Sequence, residues 1–236
     1  MRNRIFALLI VSILAATMIA CNSGASPTDT ASEQIEDVEI AASGDSIGSV
    51  TEAKDEETIE DIKQVAEECA PSIDITDCGT FTDLLNKKRI ETGMGYANVD
   101  VGSINCFFVS SGTYDNMDGN MASIDSEIFI YVDGNLTELG KVCSGGTAYP
   151  IATKDGYIYT AGNHWVCKYV IEDNQLKIME KASVTYGEDG SETYFYDSED
   201  GGDYSKINSD YASEIMNQLY EEMSEATVVN YDTVVE

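Results

Sequence analysis

The dipeptide Asp-Gly occurs at Asp133-Gly134 and again at Asp155-Gly156, each time between two short apolar runs. Both central residues of a tight two-residue hairpin need positive φ, which Asp tolerates and Gly adopts freely. The flanking runs are strand-like: Glu127 to Val132 (EIFIYV), Leu136 to Val142, AYPIAT, and YIYTAG. The same arrangement continues. Trp165 to Ile171 turns through Glu172-Asp173-Asn174-Gln175 into LKIME, and ASVTY turns through Glu188-Asp189-Gly190 into ETYFY. Upstream, Ala97, Val99 and Val101 alternate with Asn98 and Asp100, and CFFVSS follows from Cys106 to Ser111. Short strands joined by tight acidic turns predict an antiparallel meander, and the wealth of Tyr and Thr suits strand positions.

Helical signals flank this block. Thr58 with Asp61 three residues later predicts a capped helix start, and Ile59, Ile62, Val65, Ala66 and Cys69 recur near helical period until Pro71. A second short helix is expected from Phe81 to about Lys88, capped by Thr80. A third is expected from Asn208 or Ser209 to about Ala226, with Tyr211, Ala212, Ile215, Met216, Leu219, Tyr220 and Met223 on one face. A final strand is expected over Thr227 to Tyr231. The fold class that follows is α+β, a mainly antiparallel meander with short N-terminal helices and a C-terminal amphipathic helix packed on the sheet. A closed barrel or a propeller-like fragment is the alternative.

The first residues read differently. Arg2 and Arg4 precede an uncharged, almost wholly apolar run from Ile5 to Ile19, too short for the roughly 20 residues of a membrane-spanning helix. It ends Met18-Ile19-Ala20-Cys21. A small residue before a cysteine at the end of such a run resembles the lipobox of bacterial lipoproteins. The resemblance implies a signal peptide over 1–20, diacylglyceryl and fatty-acyl groups on Cys21, and attachment to the extracytoplasmic face of the cell membrane without spanning it. From residue 21 to 57 the chain is rich in Ser, Ala, Thr, Gly, Asp and Glu and has no aromatic residue. It cannot bury enough apolar surface to offset ordering entropy. We read it as a disordered acidic tether with a reach of about 30–35 Å, and 58–236 as a single globular β-rich domain.

Acidic residues number 43 against 13 basic ones, for a formal net charge of -30. Such a surface repels phosphate backbones, so nucleic acid is not expected as a partner. The membrane, through the lipid on Cys21, and an unknown protein or small molecule are.

Five cysteines remain beyond Cys21: Cys69, Cys78, Cys106, Cys143 and Cys167. Export permits disulfides. An odd number of cysteines leaves at least one free thiol or an intermolecular bond, and spacing fixes no connectivity. Cys69 and Cys78 could close a small loop, Cys143 and Cys167 could pair if their strands are adjacent, and buried free thiols are the alternative.

Few residues point to chemistry. Ser144-Gly145-Gly146 form a possible ligand loop, with His164 and Trp165 nearby in the strand block. Such Gly-rich cradles usually open a helix, and this one sits between strands. Cys143 or Cys167 beside His164 supplies the residue types for a thiol nucleophile, without the local signature of a cysteine protease. Asn116, Asp118 and Asp125 fall at positions three, five and twelve of a calcium loop. Tyr114 occupies position one, the bidentate Glu is missing, and no helices flank it. Asp197, Glu199, Asp200 and Asp203 form a second acidic loop. No enzyme and no cofactor are therefore expected, with calcium binding as the alternative.

The segments GMGYANVDV, VSSGTYDNMDGN and CSGGTAYPIATKDGYIYTAGNHWVCKY resemble a group of uncharacterised lipoproteins of anaerobic Gram-positive bacteria. These share a lipobox, an acidic tether and a Tyr-rich β domain. The resemblance spans roughly Phe81 to Tyr196 and implies a surface lipoprotein, with no catalytic residues.

Overall fold

The computed structural model describes residues 57–235. Cys21, the leader and nearly all of the tether lie outside them.

Among the described residues, three helices form where caps and apolar stripes coincide. α1 (Ile59–Cys69) and α2 (Phe81–Asn86) each begin with a reciprocal capping box, Thr58 with Asp61 and Thr80 with Asp83. α3 (Ser209–Ser224) is capped by the Asn208 side chain, which accepts the Tyr211 N–H. Pro71 lies just past the end of α1, as expected of a residue that cannot continue a helix.

The meander is split into two sheets. The first contains β1 (Gly95–Val101), β2 (Ile104–Ser110), β5 (Asp125–Val132) and β6 (Asn135–Cys143), consecutive and antiparallel. Between β2 and β5 lies a separate two-residue ribbon, β3 (Tyr114–Asp115) and β4 (Met121–Ala122). The second sheet runs β7 (Ala152–Lys154), β8 (Tyr157–Ala161), β9 (Trp165–Glu172), β10 (Gln175–Tyr186) and β11 (Glu192–Asp197). The C-terminal segment joins an edge of each sheet: β12 (Thr227–Val228) pairs with β7, and β13 (Asp232–Thr233) pairs with β1. The expected final strand is thus two short pieces in different sheets.

Side-chain parity sorts the core into layers. On β2, Cys106 and Phe108 join Ile128 and Ile130 of β5, and Ile158, Cys167, Tyr169 and Ile178 of the second sheet, in one core shared by both sheets. The intervening residues Phe107, Val109 and Phe129 point to the other face, where Phe81 and Leu84 of α2 cover them. Likewise Val166, Ala182 and Val184 face away from the shared core and meet Met216 and Leu219 of α3. The order is helix, sheet, sheet, helix. This α+β architecture agrees with the sequence reading, with two packed meanders in place of one.

α1 sits at the side of this stack. It contributes Ile59 and Ile62 to the shared core, and Cys69 at its end is disulfide-bonded to Cys143 at the end of β6. Neither candidate pairing, Cys69 with Cys78 or Cys143 with Cys167, forms. Cys106 and Cys167 are inside the shared core, and Cys78 is a half-buried free thiol beside α2. Spacing along the chain does not report that α1 folds back against β6.

Candidate functional site

The ligand loop expected at Ser144–Gly146 does meet the turn before Trp165, but the two close on each other. Gly145 N–H donates to the Ala161 carbonyl at 2.8 Å, and Ser144 Oγ accepts the Ala161 N–H at 3.3 Å. Gly162 N–H donates to the Trp165 carbonyl, and the Tyr220 hydroxyl of α3 lies 2.6 Å from the Gly162 carbonyl oxygen. A methyl group on Gly145 would stand 2.9 Å from the Gly162 Cα. Here absence of a side chain serves close backbone approach. Gly146 has φ +154 and open space beside it, while Trp165 is buried in the shared core. Of the loop's backbone donors, the Ser144 N–H is engaged by the Ile124 carbonyl and the Gly145 N–H by the Ala161 carbonyl.

His164 is exposed and packs edge-on against Tyr186, with ring centroids 5.3 Å apart. Neither neighbouring cysteine offers it a thiolate. The Cys143 sulfur is in the disulfide. Cys167 is fully buried, and burial pushes its thiol far above the ordinary cysteine value despite the nearby Lys181 charge.

The acidic candidates are likewise occupied locally. Asp118 accepts from the Asn116 amide at 3.1 Å and from the Asn120 N–H at 2.9 Å, within the turn between β3 and β4; these bonds hold its carboxyl below the usual range. Asp125 lies on another element, buried at the start of β5, where it accepts from the Ser111 N–H and hydroxyl. Burial pushes its carboxyl up. In the second acidic loop, Glu199 is paired with Lys63 and accepts the Ile178 N–H, while Asp200 accepts from the Tyr204 hydroxyl. Asp203 accepts from Ser205 at 2.6 Å. Among the described residues no group of three or more His, Cys, Asp or Glu side chains is placed to hold a metal ion.

A recess of about 770 Å³ lies where the sequence pointed to no site. It opens between β1 of the first sheet and the segment of residues 227–230 that leaves the second. Asn98, Val99 and Asp100 line one wall; Thr227 to Asn230 line the other; Thr153 to Gly156 lie at one end. Val99 and Val229 belong to the shared core and give the recess an apolar floor. Its rim is acidic, with Asp100 and Asp155 both exposed, and its one lysine, Lys154, is paired with Glu225 at 2.6 Å. At its lower end the hairpin turns of the two sheets touch, Gly102 against Gly156. Only the alternation in Ala97 to Val101 hinted at this wall, and alternation does not say which strand is left at an edge.

The chain matches no protein-family model, no curated protein and no solved structure.

Proposed function

We propose that this chain is an exported lipoprotein, held by lipid on Cys21 to the extracytoplasmic face of the cell membrane, whose β-rich body is a non-catalytic binding module. The observation that carries the reading is the Cys69–Cys143 disulfide. A bridge between the first helix and the edge of a sheet suits an oxidising compartment outside the cytoplasm, which is where a leader ending in Ala20-Cys21 would deliver the chain. The binding half of the reading draws on the acidic recess beside β1, on the disulfide that holds Cys143 and on the burial of Cys167.

The test of the anchor is metabolic labelling with an alkyne fatty acid in a bacterium expressing the full chain. The label enters the native chain, which sediments with membranes, and the Cys21→Ser variant takes up none and is released. Labelling that is absent from the native chain, or retained by the variant, rejects the lipid anchor.

A further inference from the structure

The recess beside β1 contains an unfinished sheet edge. Val101 and Ile104 close the two-residue turn at Gly102 and Ser103, so Val101 exchanges its backbone hydrogen bonds with β2. By the alternation of an extended strand, Val99 and Ala97 do the same. The N–H and C=O groups of Tyr96, Asn98 and Asp100 then point the other way. The Met94 carbonyl, of the same parity, confirms the direction by accepting the Val234 N–H on that outer side. Tyr96 is met there by Asp232 of β13.

No strand among the described residues pairs with the outer side of Asn98 and Asp100. The reason is the path of the C-terminal segment. Continued backward, β13 would run along β1, but Tyr231 instead donates to the Met121 carbonyl and Val229 to the Ile151 carbonyl. Thr227 and Val228 are already in the other sheet. The chain changes sheets at the point where β1 still has outward donors and acceptors, and leaves a slot the width of the recess.

We propose that this slot takes an extended basic peptide segment of a partner protein as an added strand on β1. This deepens the binding-module reading and rests on it. Main-chain hydrogen bonds to Asn98 and Asp100 would supply the docking, and alternate side chains the selectivity. One face of the added strand would turn apolar side chains toward Val99 and Val229. The other would place lysine or arginine beside Asp100 and Asp155. Charge selects among occupants. A second copy would bring Asp100 against its own kind on chains of net charge -30. The chain's own tether has no basic residue between Asn22 and Ala53 and seven acidic ones counted from Asp29 through Glu52. Neither is complementary to the rim.

The experiment is a fluorescence-anisotropy titration of the full chain, in mild detergent, with a labelled heptapeptide of alternating Lys and Val. The expected result is saturable binding that weakens with salt. It falls at least about tenfold with an N-methylated version of the peptide, which lacks the strand donors. A counterpart with Glu for Lys does not bind. Asn98→Pro removes an outward N–H while leaving the β2 ladder intact, and loses binding to the same extent. Asp100→Asn with Asp155→Asn weakens the Lys peptide and spares the rest. Binding that survives both N-methylation and Asn98→Pro is surface adhesion and overturns the added strand, as does absence of saturable binding. Indifference to the two Asp changes overturns the basic partner. Because the N-methyl arm uses the native chain, a poorly folded Asn98→Pro variant does not remove the test. Loss of fatty-acid labelling would reject the anchor and leave this titration standing.

Discussion

Cys69, the last residue of α1, is bonded to Cys143, the last residue of β6, at a Cα separation of 6.4 Å. The bridge spans a sequence separation of 74 residues and encloses α2 and the four strands β1, β2, β5 and β6 of the first sheet, with β13 outside it. Closing a loop of that length restricts the unfolded chain by roughly 4 kcal/mol in the chain-entropy account. The Cys69→Ser/Cys143→Ser double variant is expected to lose stability of about that size, read as a lower urea midpoint. Ile59 and Ile62 remain in the core, so α1 stays docked in the native state. A midpoint equal to that of the oxidised native chain would show that the bridge contributes nothing.

The local features were legible because they are local. Thr58, Thr80 and Asn208 cap the three helices, the first of them at the three-residue spacing to Asp61 that the sequence displays. Asp133-Gly134 and Asp155-Gly156 turn with positive φ at all four residues. What escaped was which face goes where. Phe107 and Phe108 are adjacent and both buried, on opposite sides of the sheet. Such a two-sided apolar run signals a sheet covered on both faces, and CFFV and WVC carry that signal here. The recess was illegible for a different reason. It depends on where residues 229–231 leave β1, and that is set by bonds to Met121 and Ile151, far away in the chain.

The seam between Gly145 and Gly162 yields a second prediction. Gly145→Ala places a methyl against backbone, which cannot rotate away. The cost is expected at about 1–3 kcal/mol. Gly146 has open space beside it, but at φ +154 any side chain is strained, so Gly146→Ala is informative only for strain. Thermal unfolding of the Gly145 variant against the native chain measures the crowding. An unchanged melting temperature would mean the two turns separate freely.

The three free thiols among the described residues should differ sharply in reactivity. Cys78 is half-buried, whereas Cys106 and Cys167 are fully enclosed. Burial pushes the Cys106 thiol up to about 12 and that of Cys167 higher still, so neither presents thiolate at neutral pH. Intact-mass spectrometry after brief iodoacetamide treatment of the Cys21→Ser chain, without reductant, should show one adduct on Cys78. Urea should add the other two. Native-state labelling of Cys167 at a rate matching Cys78 would revive a thiol nucleophile beside His164.

The last prediction concerns Glu127, which is 2% exposed on β5 and accepts the Ile73 N–H at 2.6 Å. Burial is the main reason its carboxyl is pushed up to about 7, with the like charge of Glu138 adding to it; the Ile73 bond and the Lys141 charge pull the other way. Lys141 is itself shared, bonded to Ser72 and paired with Glu67 of α1. The folded value lies above the ordinary 4.5. Between about 4.5 and 7 the unfolded chain therefore holds fewer protons than the folded one, and stability falls as pH rises. The contribution is complete below the unfolded value and declines until pH passes the folded one. Glu127→Gln keeps an acceptor for Ile73 and removes the titration. The native chain should lose about 2 kcal/mol more than this variant between pH 5 and pH 7.5, measured by urea unfolding at both. Taking the difference cancels the general repulsion among the remaining carboxylates, which both chains share. Parallel curves would mean that Glu127 is ionised throughout, with Lys141 and the Ile73 N–H outweighing burial.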